Sequence, residues 1–421
     1  VEGERWPYVG TVLFIHLARL ISTLMGVGTL VAIYYLGRTV FPSRAGIALG
    51  MMALVAFMPQ FLFLSASVNN DNLVILIASW VVAILALWLS STKLPSWWQL
   101  GIVGALLGLG ALTKSGGLLL WPLAGGTLLW LAWRERALSR RELRWLFLAV
   151  LAVFATALVV CGWWYVRNYL LYSEPTGIGA HLSVVGQRRR LPRRLPAIWA
   201  EFKGFRYSFW LLFGWFNILA PEPFYWVVDA LTILGIVGFG VFVARSLRYR
   251  PRWIASVILL LAAWIGLVFA GLLRWTTLTP ASQGRLLYPA LISVAFFLIV
   301  GWAELVPQRL RRGTGAVALV SWGAVAVLAL FFVLNPAYAL PERAKSSDAL
   351  SVTPSALDVR YGDCCALLGY TWAEKGPQPG IVLDRPVHAG EWVPLTLVWQ
   401  SEGKVEQNYS LSVTAVAAGG Q

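Results

Sequence analysis

The chain has 421 residues, of which 58% are hydrophobic and 13% are charged, and its mean hydropathy is +0.70. This balance excludes an ordinary soluble domain, in which about a quarter of the residues are charged. The net charge of +15 would suit a nucleic-acid-binding protein, but the basic residues lie in short segments between apolar runs, as they do in membrane proteins. We therefore predict a protein of the lipid bilayer that binds no nucleic acid.

About ten apolar runs approach the roughly 20 residues that an α-helix needs to cross a bilayer. We predict a mainly α fold, a polytopic transmembrane helical bundle over residues 1–335. The predicted spans lie near Thr11–Leu36, Ala45–Leu64, Leu73–Leu89, Trp97–Leu112, Gly117–Trp133, Trp145–Trp163, Phe224–Val243, Trp253–Leu273, Leu286–Ala303 and Ala316–Leu334.

Basic residues concentrate in alternate connections between these spans. The connection 134–144 holds five arginines, and the connection 245–252 holds four. The opposite short turns contain only Lys114, Arg274 and Arg285. Because cytoplasmic loops carry the excess of Lys and Arg, we predict that the first set is cytoplasmic. Both ends of the chain are then extracytoplasmic, in a multi-pass protein of the inner (plasma) membrane.

The outer connection 165–223 departs from this charge pattern, because 187–194 alone contains five arginines. Long loops cross the membrane largely regardless of charge, so the predicted topology is kept. The arginines suit either anionic lipid headgroups or a dedicated phosphate site. The apolar stretch Phe209–Phe216 is too short to span the bilayer, and we predict an interfacial or re-entrant helix there.

A polar linker is predicted over 336–353, where prolines punctuate a stretch without an apolar run. Residues 354–421 follow, with alternating polar and apolar residues at Leu395–Trp399 and Tyr409–Val413. Such alternation between turns predicts half-buried strands. We expect a small extracytoplasmic β-sandwich-like domain that is incomplete at Gln421.

The stretch Phe57–Leu73 joins two predicted spans through a short polar turn at the outer face. The turn contains Asn69, Asn70 and Asp71, whose side-chain oxygens could bind a metal or a polar substrate. Asn and Asp are also good helix caps, so capping of the next span is the alternative interpretation. We choose Asp71 as the candidate catalytic residue and the two asparagines as candidate substrate ligands.

Three cations lie where predicted spans begin or end at the same outer face. Lys114 separates two apolar runs, and a charge in such a place is a candidate functional residue. Arg167 ends the sixth span together with Asn168, although an arginine that snorkels from an aromatic belt would give the same pattern. Gln283 and Arg285 open the ninth span in a similar position.

One carboxylate and several cations at one membrane face suggest a site for a phosphorylated lipid. Arg and Lys would hold the phosphate oxygens, and the carboxylate would bind a divalent metal or accept a proton. We therefore expect the three cations to converge near Asp71, and Asp229 in the seventh span to pair with one of them. The three histidines are scattered, so no zinc cluster is predicted, and the chain has neither a Walker phosphate loop nor a G-x-S-x-G motif.

Several motifs resemble, in their order along the chain, those of the GT-C membrane glycosyltransferases. They are H-L-A-R-L-I-S from His16, G-R-T-V-F-P to Pro42, P-Q-F-L-F-L-S-A-S-V-N-N-D to Asp71, L-T-K to Lys114, W-Y-V-R-N to Asn168 and G-R-L-L-Y-P to Pro289. The most similar group is an uncharacterised bacterial membrane-protein branch related to protein O-mannosyltransferases and aminoarabinose transferases. The resemblance covers nearly all of residues 1–334.

The resemblance implies an enzyme that takes a sugar from a polyprenyl-phosphate donor and transfers it to an acceptor at the outer face. Asp71 would orient the acceptor or a divalent metal, while Lys114, Arg167 and Arg285 would stabilise the charge of the leaving phosphate. Members of this group usually carry an acidic motif in the first outer loop. We expect the natural protein to extend before Val1 and to supply that motif there.

A non-catalytic membrane protein is the alternative. It would be a transporter of lipid-linked substrates, or a scaffold subunit with partners in a larger membrane complex. A transporter would more often show inverted repeats and charges near mid-membrane, whereas these polar residues cluster at one face. A scaffold would leave Asp71 and Lys114 without a ligand.

Overall fold

The computed structural model describes residues 6–134, 140–185, 195–214, 216–246, 251–279, 283–307, 309, 311–339, 355–361, 365–371 and 395–401. The chain divides into two compact units. One is Ile15–Tyr338, and the other combines Val1–Phe14 with Ala339–Gln421. All the candidate site residues lie in the first unit.

Eight helical stretches among the described residues are long and apolar enough to cross a membrane. The predicted mainly α, polytopic fold is thereby confirmed. In chain order the helices are α1 (Gly10–Val40), α2 (Ala45–Ala56), α3 (Pro59–Ser65), α4 (Asp71–Ser90), α5 (Trp97–Thr113), α6 (Leu120–Arg134), α7 (Arg140–Tyr172), α8 (Ile178–Val185), α9 (Leu195–Trp210), α10 (Glu222–Ser246), α11 (Arg252–Leu278), α12 (Leu291–Leu305), α13 (Thr314–Ala329) and α14 (Asn335–Ala337).

Two of the predicted spans differ in form from a straight crossing helix. The span near Ala45–Leu64 is the pair α2 and α3, which is bent by 67°. The bend precedes Pro59, and Met58 is extended with φ −67° and ψ 117°, the conformation that a residue before proline prefers. Helix α5 has 17 residues, which is short for a crossing.

Helices α4 and α12 form the centre of the bundle. In each, 67% of the apolar stretch is buried, compared with 22% for α7, α10 and α13. The more exposed helices carry large apolar side chains on their outer faces, such as Phe147 and Val159 of α7. These faces suit contact with lipid chains, because exposing so much apolar surface to water would be unfavourable.

Two spans begin with a turn of 3₁₀-helix instead of α-helix. Ser115–Leu119 leads into α6, and Gly284–Ala290 leads into α12. Lys114 directly precedes the first turn in an extended conformation (φ −161°, ψ 143°), and Arg285 is the second residue of the other. Both candidate cations therefore lie where a spanning helix is not yet regular.

The apolar stretch Phe209–Phe216, predicted as one helix, has two parts. Helix α9 ends at Trp210, and β1 (Leu212–Phe213) then pairs antiparallel with β2 (Ile218–Leu219). The prediction of a single helix is wrong because the turn of this hairpin needs left-handed backbone, with φ of 62° at Gly214 and 65° at Phe216. The arginine cluster at 188–194 lies outside the described residues.

The C-terminal unit contains an antiparallel sheet with the strand order β3 (Ser355–Tyr361), β4 (Cys365–Thr371) and β5 (Thr396–Ser401). The strand predicted at Leu395–Trp399 corresponds to β5, with Ala366 opposite Gln400 in the register. Most of the predicted linker and the predicted strand Tyr409–Val413 lie outside the described residues. The β-sandwich and the boundaries of the linker therefore stay predictions.

The topology is testable at two exposed positions in connections that follow each other. We expect Val68, in the turn before α4, to face outside and Lys93, after α4, to face the cytoplasm, because cytoplasmic loops carry the excess of basic residues. Single cysteines at these positions, with the three native cysteines replaced, would be exposed to a membrane-impermeant thiol reagent on intact cells. Val68→Cys should be labelled and Lys93→Cys should not. The opposite pattern would overturn the orientation.

Candidate functional site

The turn before α4 is built around the side chain of Asn69. Its carbonyl oxygen accepts hydrogen bonds from the backbone N–H of Asp71 at 2.8 Å and of Asn72 at 3.3 Å. Asn69 thus has the capping role that the sequence offered as an alternative. The side chain of Asp71 makes no capping hydrogen bond. The residue is only 6% exposed, so its carboxylate needs other partners.

The carboxylate of Asp71 lies between two cations from distant parts of the chain. The Lys114 ammonium donates a hydrogen bond to its Oδ1 atom, and Nε of Arg285 lies 3.9 Å from its Oδ2 atom. Two positive charges thus share one negative charge in a largely buried place. The cluster carries an excess of one positive charge, which attracts an anion.

Neighbouring amides hold the segments that carry these cations. The Asn70 amide donates to the Thr113 carbonyl at 3.2 Å, directly before Lys114. The Gln283 side-chain oxygen accepts a hydrogen bond of 2.6 Å from Nε of Arg285. Both were predicted as substrate ligands, and the structure places both beside the charged cluster.

Arg167 and Asn168 do not join this cluster. Helix α7 continues to Tyr172 instead of ending near Trp163, so Arg167 lies on an exposed face with its guanidinium 5.2 Å from the Trp164 ring. Among the described residues it makes no ion pair. Asn168 is buried and donates to the Pro175 carbonyl at 3.2 Å, which fixes the chain after α7.

Asp229 pairs with a cation other than the three that were expected. Its Oδ2 atom accepts a 2.6 Å hydrogen bond from Nε of Arg206. This arginine also lies 3.7 Å from Glu222, which accepts a hydrogen bond from Tyr207. The predicted pairing of Asp229 with Lys114, Arg167 or Arg285 is wrong, because α9 packs against the start of α10 and places Arg206 next to Asp229. Burial, and then the bond to Glu222, raise the pKa of the Tyr207 phenol.

An apolar groove begins at the Arg206–Asp229 pair. It has a volume of about 410 Å³ and lies between α9, α10, α11 and α12. Its α10 wall extends from Asp229 to Phe239, and ten helical residues correspond to about 15 Å. Leu287, in the same turn as Arg285, lines the groove as well. The groove thus follows the membrane spans and shares one lining residue with the turn that carries Arg285.

Sequence reasoning missed two buried amides that hold the site together. The Asn72 side chain donates to the carbonyls of Leu64 at 3.1 Å and of Ser67 at 2.9 Å. The Gln60 side-chain oxygen accepts a 2.6 Å hydrogen bond from the Leu212 N–H. Both residues are 3% exposed. An amide side chain inside or next to an apolar run could have indicated these two residues, because such a side chain is buried and needs hydrogen-bond partners.

The described residues show no cluster of metal-binding side chains. They contain no group of three or more His, Cys, Asp and Glu side chains that could hold one. The single carboxylate of the cluster faces two cations, and a metal ion would have to displace them. In this arrangement Asp71 pairs with Lys114 and Arg285, and the expected divalent metal stays a prediction.

Residues 15–163 match the family described as dolichyl-phosphate-mannose-protein mannosyltransferase. This match confirms the predicted resemblance to GT-C membrane glycosyltransferases. It includes Asp71 and Lys114 and ends before Arg285. No curated protein matches the chain.

The chain is also similar to solved structures of the Archaeoglobus fulgidus oligosaccharyltransferase. One, in complex with Zn and sulfate, has 15% identity and a TM-score of 0.43, and the match covers 81% of this chain and 44% of that one. Another, in complex with an inhibitory peptide and a dolichol-phosphate, has 15% identity and a TM-score of 0.42, with 81% and 47% covered. The chain thus spans a little under half the length of these proteins.

The role of Asn72 can be tested by its effect on stability. Replacing Asn72 by Ala leaves the Ser67 carbonyl without its side-chain donor and removes one of the donors to the Leu64 carbonyl, and an unsatisfied buried polar group costs about 1–3 kcal/mol. We expect a lower midpoint of thermal unfolding in detergent. Asn70→Ala is the matched control, because Asn70 is exposed and makes one hydrogen bond. Equal midpoints for the two variants would contradict the role of Asn72.

Proposed function

We propose that this protein is an integral membrane glycosyltransferase. It transfers a sugar from a polyprenyl-phosphate donor to an acceptor at the outer face of the plasma membrane. The observation that carries the proposal is the cluster of Asp71, Lys114 and Arg285, with one carboxylate for two cations. The match of residues 15–163 to a mannosyltransferase family supports the same reaction class.

The cluster suits the phosphate of such a donor. Two cations held about one carboxylate cannot both be fully neutralised by it, and a phosphate supplies the missing negative charge. The side chains of Lys114 and Arg285 are 31% and 34% exposed, so a ligand can reach them. Arginine offers two parallel N–H donors to phosphate oxygens, and lysine adds a compact charge.

These residues would act on the leaving-group side of the reaction. The oxygen of an acceptor hydroxyl forms a bond to the anomeric carbon and its proton is released to water, while the bond from that carbon to the phosphate oxygen breaks. Negative charge then grows on the departing polyprenyl phosphate. Lys114 and Arg285 stabilise that charge most when they are already in place, and Asp71 keeps them there.

The apolar groove suits the chain of the donor. Most of its lining consists of aromatic and aliphatic side chains, including Phe205 and Phe297. A sugar would find few hydrogen-bond partners there, whereas a polyprenyl chain needs none. Leu287 connects the groove to the turn that carries Arg285, so one donor could place its phosphate at the cluster and its chain in the groove.

The phosphate site can be tested with two single variants. A hydrogen bond to a charged group contributes about 1.5–3 kcal/mol, which corresponds to about one to two decades in affinity. We therefore expect Lys114→Ala and Arg285→Ala each to weaken binding of a polyprenyl phosphate by about 10-fold to 100-fold. Equilibrium binding to purified, folded protein measures this.

Arg274→Ala is the matched control, because Arg274 is an exposed cation on the same predicted side of the membrane and forms no ion pair with Asp71 among the described residues. It should bind the donor like the unmodified protein. Wild-type affinity in both cluster variants would make Lys114 and Arg285 interfacial anchors and favour the scaffold alternative. A transporter would bind the lipid but would transfer no labelled sugar to any acceptor.

The groove can be tested by partly filling it. Ile236 lines the groove and is 62% exposed, and Ile233, one turn earlier on α10, is 60% exposed and does not line it. We expect Ile236→Trp to weaken binding of a long-chain polyprenyl phosphate, because the indole occupies space that the chain needs. Binding of a short-chain isoprenyl phosphate should change little. Ile233→Trp should bind both lipids normally, and equal effects of the two tryptophans would refute the groove.

A further inference from the structure

The backbone next to Arg285 lies directly against helix α9. A Cβ atom on Gly284 would come within 2.4 Å of the Phe209 nitrogen and 2.5 Å of the Phe205 oxygen. Real side chains do not approach backbone atoms so closely. Only glycine allows the 284–290 turn to lie this close to α9.

Two hydrogen bonds hold the turn on α9, one on each side of Arg285 along the chain. The Gly284 N–H donates to the Ser208 hydroxyl oxygen at 2.7 Å. The Tyr288 hydroxyl donates to the Phe209 carbonyl at 2.6 Å. Ser208 is 2% exposed and Tyr288 is 0% exposed, so these bonds are shielded from competing water. The backbone of Arg285 is therefore fixed by α9.

The hairpin that follows α9 contacts the other end of the Arg285 side chain. The guanidinium lies 5.8 Å from the centre of the Phe216 ring, within the range of a cation–π interaction. The hairpin is anchored in turn, because Gln60 accepts a hydrogen bond from the Leu212 N–H and Tyr225 donates one of 2.7 Å to the Leu211 carbonyl.

An arginine side chain has many rotamers, and ordering it has an entropic cost. Asp71 is paired with Lys114 as well as with Arg285. Of the two cation nitrogens, Nε of Arg285 lies farther from the Asp71 carboxylate, so this ion pair alone does not fix the arginine side chain. Besides the Gln283 oxygen that accepts a hydrogen bond from Nε, two supports place the guanidinium, namely the backbone below it and the ring beside it. Both are provided by the segment 195–219, which contains none of the residues in the charged cluster.

We propose that α9 and the β1–β2 hairpin form a frame that positions Arg285 for the donor phosphate, with Gly284, Ser208 and Phe216 as positioning residues. The proposal rests on the proposed function, because it assigns these residues a role through Arg285. It makes the outer connection, and not only the spanning helices, a determinant of donor binding.

The test compares single and double variants in polyprenyl-phosphate binding and in thermal unfolding. Gly284→Ala should weaken binding by at least fivefold, toward the affinity of Arg285→Ala. In the Arg285→Ala background the same substitution should weaken binding no further, because residues that act through one another are not additive. Its effect on the unfolding midpoint should persist in both backgrounds.

Gly315→Ala is the matched control, since a Cβ atom there would come within 2.6 Å of the Gly46 oxygen, far along the chain from the turn that carries Arg285. It should lower the unfolding midpoint and leave binding by the folded protein unchanged. Two milder variants keep the test open if Gly284→Ala fails to fold. Phe216→Leu, at a residue that is 40% exposed, should weaken binding about twofold to fivefold, and Ser208→Ala should act in the same direction.

The outcomes separate this inference from the proposed function. Normal binding by Arg285→Ala would remove the proposed role of Arg285, whatever the frame does. Weak binding by Arg285→Ala with normal binding by the folded frame variants would refute the frame alone. Full additivity of Gly284→Ala and Arg285→Ala would also refute it.

Discussion

The rest of the site depends on the carboxylate of Asp71, which is buried and shared by two cations. A buried carboxylate without partners would be strongly unfavourable, so Lys114 and Arg285 stabilise it. Asp71 in turn allows two positive charges to lie near each other. Three segments of the chain, from the start of α4 and from two 3₁₀ turns, are therefore held at one place by charge. The excess positive charge that remains is a property of the folded bundle and of no single segment.

The irregular parts of the bundle provide this arrangement. A continuous α-helix satisfies its own backbone groups and points its side chains outward in a fixed sequence. Lys114 and Arg285 lie where regular helix has not yet begun, so their backbones can approach the start of α4. The buried amides Asn72 and Gln60 then satisfy the carbonyl and N–H groups that such irregular segments leave open. Asn72 thus satisfies carbonyls at and after the end of α3, and Gln60 satisfies an N–H just after the end of α9.

The sequence predicted well those features that have a local signal. Apolar length identified the spans, and charges at the edges of apolar runs pointed to Asp71, Lys114 and Arg285, which the fold brings together. Features that depend on tertiary contacts were missed. Arg167 was expected at the site because an aromatic stretch resembled the end of a helix, whereas α7 continues beyond it. The hairpin after α9 was hidden in an apolar run, and the close approach of Gly284 to α9 has no sequence signal except a glycine.

The order of the charged residues along the chain has a consequence for membrane insertion. Lys114 follows Asp71 by 43 residues, so these two can form a neutral pair as soon as α4 and α5 have left the ribosome and entered the bilayer. Arg285 is synthesised much later, after α11. Because domains are made from the N-terminus onward, the Asp71–Lys114 pair can form before Arg285 is present. The cationic site is complete only after the later helices have joined, which spares the half-made protein an uncompensated charge next to lipid.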